Sequence, residues 1–70
     1  MDFLLLEYLA KKNGMSQIAL AKAMNMDPST YYRKKKGEAE FTVKEIKSVK
    51  EALNLTTPQV NEIFFADKLA

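Results

Sequence analysis

The densest charge in the chain is a run of four basic side chains, Arg33-Lys34-Lys35-Lys36. Residues 1 to 36 hold seven basic and three acidic residues, a balance of +4, whereas residues 37 to 70 hold four basic and six acidic residues, a balance of −2. Guanidinium and ammonium groups in this density pair with phosphates, and a guanidinium can also bond two acceptors of one guanine. The asymmetry predicts one surface for a polyanion and another for a different purpose.

The basic run ends a stretch, residues 16 to 36, with the pattern of two short helices joined by a tight turn. Ser16 is placed to cap the first helix with its hydroxyl, and Asn25 tolerates the left-handed conformation that ends it. Asp27 is the expected cap of the second helix, with Pro28 in the first position, where a missing N–H costs nothing. Helix, three-residue turn and capped helix with a basic end form the pattern of a DNA-binding helix-turn-helix.

Signals that start or end a helix are also predicted on both sides of this motif. Before it, Asp2 is placed to cap a helix over residues 3 to 12, and Gly14 ends that helix by a left-handed turn. After it, Gly37 closes the second helix of the motif in the same way. The motif is thus bounded by its own start and stop signals.

Two capping boxes predict a fourth and a fifth helix. Thr42 begins the fourth helix, whose expected buried stripe is Val43, Ile46, Val49 and Leu53. Thr56 begins the fifth, which is expected to run to about Asp67. No strand alternation or linker is visible, so the sequence predicts an all-α fold of five helices in a single domain, residues 1–70.

Several positions of the motif resemble the helix-turn-helix of the lambda-repressor/Cro-like family. They are Gln17, Leu20-Ala21, Asn25-Met26-Asp27, Ser29-Thr30-Tyr31 and Gly37. The segment EALNLTTPQVNEIFFA is similar to the close of that domain in small phage repressors of Gram-positive hosts. The resemblance covers residues 3 to 66 and implies that the helix over residues 28–36 enters the DNA major groove.

The resemblance also implies which side chains contact DNA. Ser29 and Arg33 take the positions that reach bases, with Pro28 in van der Waals range and Tyr32 placed for a thymine methyl or a phosphate. Arg33 is the foremost candidate, because its planar fork matches guanine. The family glutamine that meets a phosphate at a helix start is matched by Gln17. The other expected phosphate contacts are Thr30, Lys34, Lys35, Lys36, Thr42 and Lys44.

One departure from the family concerns the inward end of the second motif helix. That end usually carries a large apolar residue, but Lys34 and Lys35 stand here. We expect one lysine stem to lie over the core and to extend its charge outward. This arrangement would leave the end of the helix loosely held until DNA binds.

A homodimer is expected, because one short helix reads few base pairs and family members pair two half-sites about 34 Å apart. Val60 and Ile63-Phe64 satisfy the core, which leaves Phe65 and Leu69 as the predicted dimer interface. The alternative is that Phe65 packs on the first helix.

These features predict a sequence-specific regulator that binds double-stranded operator DNA, a phage repressor or Cro-like protein. Two alternatives remain open: an antitoxin-type DNA-binding module, and a protein-binding helical bundle with no DNA role. An enzyme is not expected, because the chain has no histidine, cysteine or phosphate-binding glycine loop. No cofactor, metal, small-molecule ligand or membrane span is expected, and the absence of cysteine fits a cytoplasmic location.

Overall fold

The computed structural model describes residues 1–65, and most of these residues are helical. The helices are α1 (Phe3–Lys12), α2 (Gln17–Ala23), α3 (Pro28–Lys35), α4 (Val43–Leu53) and α5 (Thr57–Val60), and a π-helical turn (Asn61–Phe65) directly follows α5. Residues 1–65 contain no strand, so the predicted all-α fold is confirmed. None of these helices has the length and apolarity that crossing a membrane requires.

Side-chain caps begin four of the helices as predicted. The Asp2 carboxylate accepts the Leu5 N–H at 3.0 Å, and the Ser16 hydroxyl accepts the Ala19 N–H at 3.1 Å. Both capping boxes, at the starts of α4 and α5, are complete. The cap predicted at Asp27 is wrong in one respect, since this residue takes the N-cap position of α3 but its side chain accepts no N–H. Proline at the first turn begins α3 without that bond, because its fixed φ already suits a helix.

Each of the first four helices ends at a residue with positive φ. These residues are Gly14, Asn25, Gly37 and Asn54. Beyond each of them an N–H returns to a carbonyl of the last turn, as Met26 does to Ala21 at 3.1 Å. This arrangement satisfies free carbonyls and turns the chain sharply. The turn between α2 and α3 is also tied to α4, because the Asn25 amide donates to Ser48 Oγ at 3.2 Å.

The core draws on every helix but unequally. α1, α2 and α4 each bury two side chains, whereas α3 buries one, Tyr31. The Tyr31 ring meets the rings of Phe3 and Phe41 edge-on, with centroid distances of 6.4 and 6.3 Å. The second helix of the motif is therefore anchored by a single aromatic residue, and polar contacts must fix the rest of its orientation.

One expectation about the last helices is wrong, and another is tested only in part. Val43 is 81% exposed instead of buried. A helix turns about 100° per residue, so Val43 lies beside the stripe of Ile46, Val49 and Leu53 and not on it. The fifth helix changes to a π-helical turn after Val60, and the predicted end at Asp67 lies outside the described residues. This wider turn buries Ile63 and Phe64 in the core.

Candidate nucleic-acid interface

The four basic residues of the run divide between two sides of α3. Arg33 and Lys36 are exposed, whereas Lys34 and Lys35 are partly buried on either side of Tyr31. The division follows from helix geometry, since residues i and i+3 point nearly the same way and the two residues between them point elsewhere. The run is therefore two pairs of cations with different surroundings.

All four predicted base-contacting residues lie on the exposed side of α3. They are Pro28, Ser29, Tyr32 and Arg33. Arg33 Nε is 3.7 Å from Glu38 Oε1, and the two side chains are 64% and 55% exposed. An exposed ion pair of this kind contributes little, so it does not prevent the guanidinium from meeting another acceptor. The Lys36 ammonium lies 4.9 Å from the centre of the Tyr32 ring, on the same outer surface.

Lys34 faces inward and pairs with α4. Its Nζ lies 2.6 and 2.7 Å from the two carboxylate oxygens of Glu45, and its side chain is only 10% exposed. The stem covers the core as expected, but the charge meets Glu45 instead of extending into water. The pair holds the end of α3, so the expectation of a loosely held helix end is also corrected.

The Glu45 carboxylate has two roles. It accepts the Thr42 N–H at 2.8 Å in the capping box of α4, and it accepts the Lys34 ammonium. Burial raises the pKa of this carboxyl, but the Lys34 and Thr42 hydrogen bonds and the Lys34 charge lower it by more. The pKa of Glu45 is therefore below its ordinary value, and the group is ionised at neutral pH.

Lys35 pairs with α1 through Glu7. Lys35 Nζ is 2.8 Å from Glu7 Oε2, and the Tyr31 hydroxyl donates to the same oxygen at 2.7 Å. Burial raises the pKa of Glu7, but Lys35, Tyr31 and a weaker hydrogen bond from Gln17 lower it by more, so its net pKa is below the ordinary value. Burial and the Glu7 carboxylate raise the pKa of the Tyr31 phenol far above its usual range, which keeps it a donor.

The other predicted phosphate contacts lie on α2, α3 and α4 or at the ends of these helices. Gln17, Lys36, Thr42 and Lys44 are exposed, and Thr30 is partly buried. Gln17 is the first residue of α2, and Thr42 and Lys44 lie at the start of α4. The Thr42 hydroxyl accepts the Glu45 N–H at 3.1 Å and keeps its own proton available to a further acceptor.

Sequence reasoning missed the two carboxylates that pair with the run. Glu7 and Glu45 belong to α1 and α4, so they lie on different helices from the run. A signal for the inward side chains was present, because Lys34 and Lys35 flank Tyr31 on a helical projection. Their partners depend on how three helices meet.

The helix-turn-helix family model matches residues 6–60 of the chain, which include α2, α3 and the turn between them. The chain belongs to the lambda-repressor/Cro-like helix-turn-helix family. No curated protein and no solved structure matches it significantly.

Membership of this family makes the chain a DNA-binding helix-turn-helix regulator. In the family's terms α2 and α3 are the two helices of the motif, and α3 is the recognition helix. The predicted motif at helices two and three thus agrees with the helices that the structure forms.

Proposed function

We propose that the chain is a sequence-specific transcriptional regulator of the phage repressor or Cro type, acting in the cytoplasm on double-stranded operator DNA. The observation that supports this is the outer side of α3, where Arg33, Ser29 and Tyr32 are exposed together on a helix fixed from behind. Insertion of α3 in the major groove brings these side chains to base edges. The bound protein then represses transcription by covering the operator against polymerase.

The contacts divide between specificity and affinity. Arg33 bonds a guanine in the proposal, with Ser29, Tyr32 and Pro28 beside it. The proposed phosphate contacts are Gln17, Thr30, Lys36, Thr42 and Lys44, of which all but Thr30 are exposed. Lys34 and Lys35 change role in this proposal, because their ammonium groups are paired with carboxylates. They hold the recognition helix in place instead of neutralising phosphates.

The test is fluorescence anisotropy of a labelled random-sequence duplex at low and moderate salt, followed by selection of a preferred duplex from a random library. Phosphate contacts predict binding that weakens steeply as salt rises. Enrichment of one sequence would support an operator-binding regulator. Folded protein that fails to bind any duplex at low salt would contradict the proposal and favour a protein-binding helical bundle.

Arg33→Ala tests the assigned base contact. We expect the affinity for the selected duplex to fall by about 1–3 kcal/mol, because the bidentate contact to guanine is lost. Arg33→Lys is the matched control, since it keeps the charge and loses the planar fork. Both variants should discriminate less well between the selected duplex and a random-sequence duplex. Arg33→Lys should keep the salt dependence of the wild type. Full discrimination in Arg33→Lys would show that Arg33 acts only through its charge.

Dimerisation is the second part of the proposal. Phe65 is partly buried and lines a cleft of about 330 Å³ together with Val43, Ile46, Lys47 and Lys50. Val43, at 81% exposure, presents apolar surface at this cleft. Leu69, the other residue predicted at the interface, lies outside the described residues. A second copy that covers this face would bury the exposed valine.

Sedimentation equilibrium tests the dimer. Val43→Glu should raise the dimer dissociation constant without loss of helicity, because Val43 is exposed. Phe65→Glu should act in the same direction, whereas unfolding of that variant would place Phe65 in the core. Ile18→Glu is a control on the exposed surface of α2, away from the cleft. A wild-type chain that is monomeric at high concentration would contradict this part of the proposal.

A further inference from the structure

The Glu7 carboxylate joins α1 to the recognition helix and lies near the start of α2. It accepts the Tyr31 hydroxyl at 2.7 Å and the Lys35 ammonium at 2.8 Å, both from α3. Gln17, at the start of α2, lines one cleft together with Glu7. Tyr31 and Lys35 are four residues apart, so they lie on one side of α3 and approach the carboxylate together.

α3 depends on such contacts more than the other long helices do. Tyr31 is its one buried side chain, whereas α1, α2 and α4 each bury two. A single buried aromatic ring fixes how closely a helix packs against the core. It restrains the rotation of the helix about its own axis less well. Glu7 restrains rotation from the α1 side, and Glu45 restrains it through Lys34 from the α4 side.

The placement of Glu7 has opposite consequences for charge and for geometry. A carboxylate beside Gln17, a candidate phosphate contact, opposes a DNA phosphate by charge alone. It also neutralises Lys35, which lowers the positive charge of the recognition helix. The geometric consequence is favourable, because the group holds the helix that carries Arg33 and lies in one cleft with Gln17 on α2. Contacts to bases and phosphates need placement within about 0.5 Å, and hydrogen bonds from a neighbouring helix restrict movement of the side chains that make them.

We propose that Glu7 is a positioning residue for DNA recognition, which sets the recognition helix against α2 so that Arg33 and Gln17 meet one duplex together. This inference rests on the proposed function. Glu7 itself touches no DNA in it, and acts through Tyr31 and Lys35. Glu7 increases sequence specificity in this proposal, and its negative charge weakens the general attraction to polyanions.

The test compares Glu7→Gln with Glu51→Gln, which removes the same charge from an exposed position on α4. Each variant is titrated against a random-sequence duplex and against the duplex selected with the wild-type protein, at a temperature where all are folded. Removal of the negative charge alone should slightly increase the affinity of both variants for both duplexes. For Glu7→Gln we expect the ratio of selected to random affinity to fall at least about fivefold, the lower end of one bidentate contact. Glu51→Gln should keep the wild-type ratio.

Tyr31→Phe is a second test of the same junction and can be used if Glu7→Gln does not fold. It removes one hydroxyl from the junction, keeps the aromatic packing and leaves the net charge unchanged. A fall in the affinity ratio is expected here too. An unchanged ratio in a folded Glu7→Gln or Tyr31→Phe protein overturns the positioning role, even if DNA binding is established. Failure of the wild-type protein to select any duplex is a separate result, because it overturns the proposed function and this inference with it.

Discussion

Arg33 and Lys36 are neighbours of Lys34 and Lys35 in the sequence and carry the same charge. The surroundings of the two pairs differ. The first pair lies on the outer side of α3 and is exposed, and Arg33 meets Glu38 only at 3.7 Å. The second pair lies on the inner side, each ammonium within 2.8 Å of a carboxylate from another helix. A run of basic residues on a helix is therefore not one functional unit. Its members separate according to what the fold places opposite them.

The energetic roles of the two pairs differ accordingly. An exposed ion pair contributes between nothing and about 1 kcal/mol, because water screens it. A desolvated pair is costly to break on one side, because the remaining charge has no partner. The inner lysines should therefore affect folding, and the outer cations should affect DNA binding. Three predictions test this division.

Lys34→Ala should give the largest change in stability. It leaves the Glu45 carboxylate, whose side chain is 17% exposed, without its ammonium partner. We expect the free energy of unfolding to fall by about 2–3 kcal/mol, which lowers the melting temperature by roughly 10 °C or more. Thermal unfolding followed by circular dichroism measures this. Lys36→Ala removes the same charge from the exposed side and should change stability by no more than about 0.5 kcal/mol. Equal losses in both variants would contradict the division.

Acidification should produce a smaller loss through the same carboxylates. The pKa values of Glu7 and Glu45 in the folded protein lie below the ordinary 4.5. The unfolded chain therefore takes up these protons first as the pH falls, which favours unfolding. Their stabilisation is complete well above pH 4.5 and is lost as the pH falls through the lowered folded values.

Urea unfolding at a series of pH values measures the acid effect. Lys34→Ala should lose less stability between neutral and acid pH than the wild type, because Glu45 no longer has the partner that lowers its pKa. Lys36→Ala should follow the wild-type curve. A Lys34→Ala curve parallel to that of the wild type would show that the Lys34–Glu45 pair does not contribute to acid sensitivity.

The smallest expected effect is on the salt dependence of DNA binding. Each phosphate neutralised contributes about 0.9 to the slope of log affinity against log salt. Lys36→Ala should reduce the slope by about this amount, because Lys36 is a proposed phosphate contact. Lys34→Ala should leave the slope unchanged at a temperature where the variant is folded. A similar reduction of the slope in both variants would indicate that Lys34 contacts a DNA phosphate.

Local signals in the sequence predicted most of the fold. The caps at Asp2, Ser16, Thr42 and Thr56 depend on a few neighbouring residues, so pattern alone was sufficient for them. The left-handed ends at Asn25 and Gly37 are local in the same sense. Val43 was misassigned because its side chain lies at the margin of a stripe whose width depends on neighbouring helices. The π-helical turn after Val60 carried no signal that periodicity reveals.

The candidate site was predictable in part for the same reason. Helical position alone places Ser29, Tyr32 and Arg33 on one side of α3 and Tyr31 on the other, as the structure has them. Which basic residues meet carboxylates was not predictable, since Glu7 and Glu45 approach from α1 and α4. The start of every helix, the ends of α1, α2 and α3, and the outward side of α3 follow from the sequence alone, because they depend on interactions within a few residues. The pairing of Lys34 and Lys35 with carboxylates follows only from the packed fold, because it requires three helices to meet.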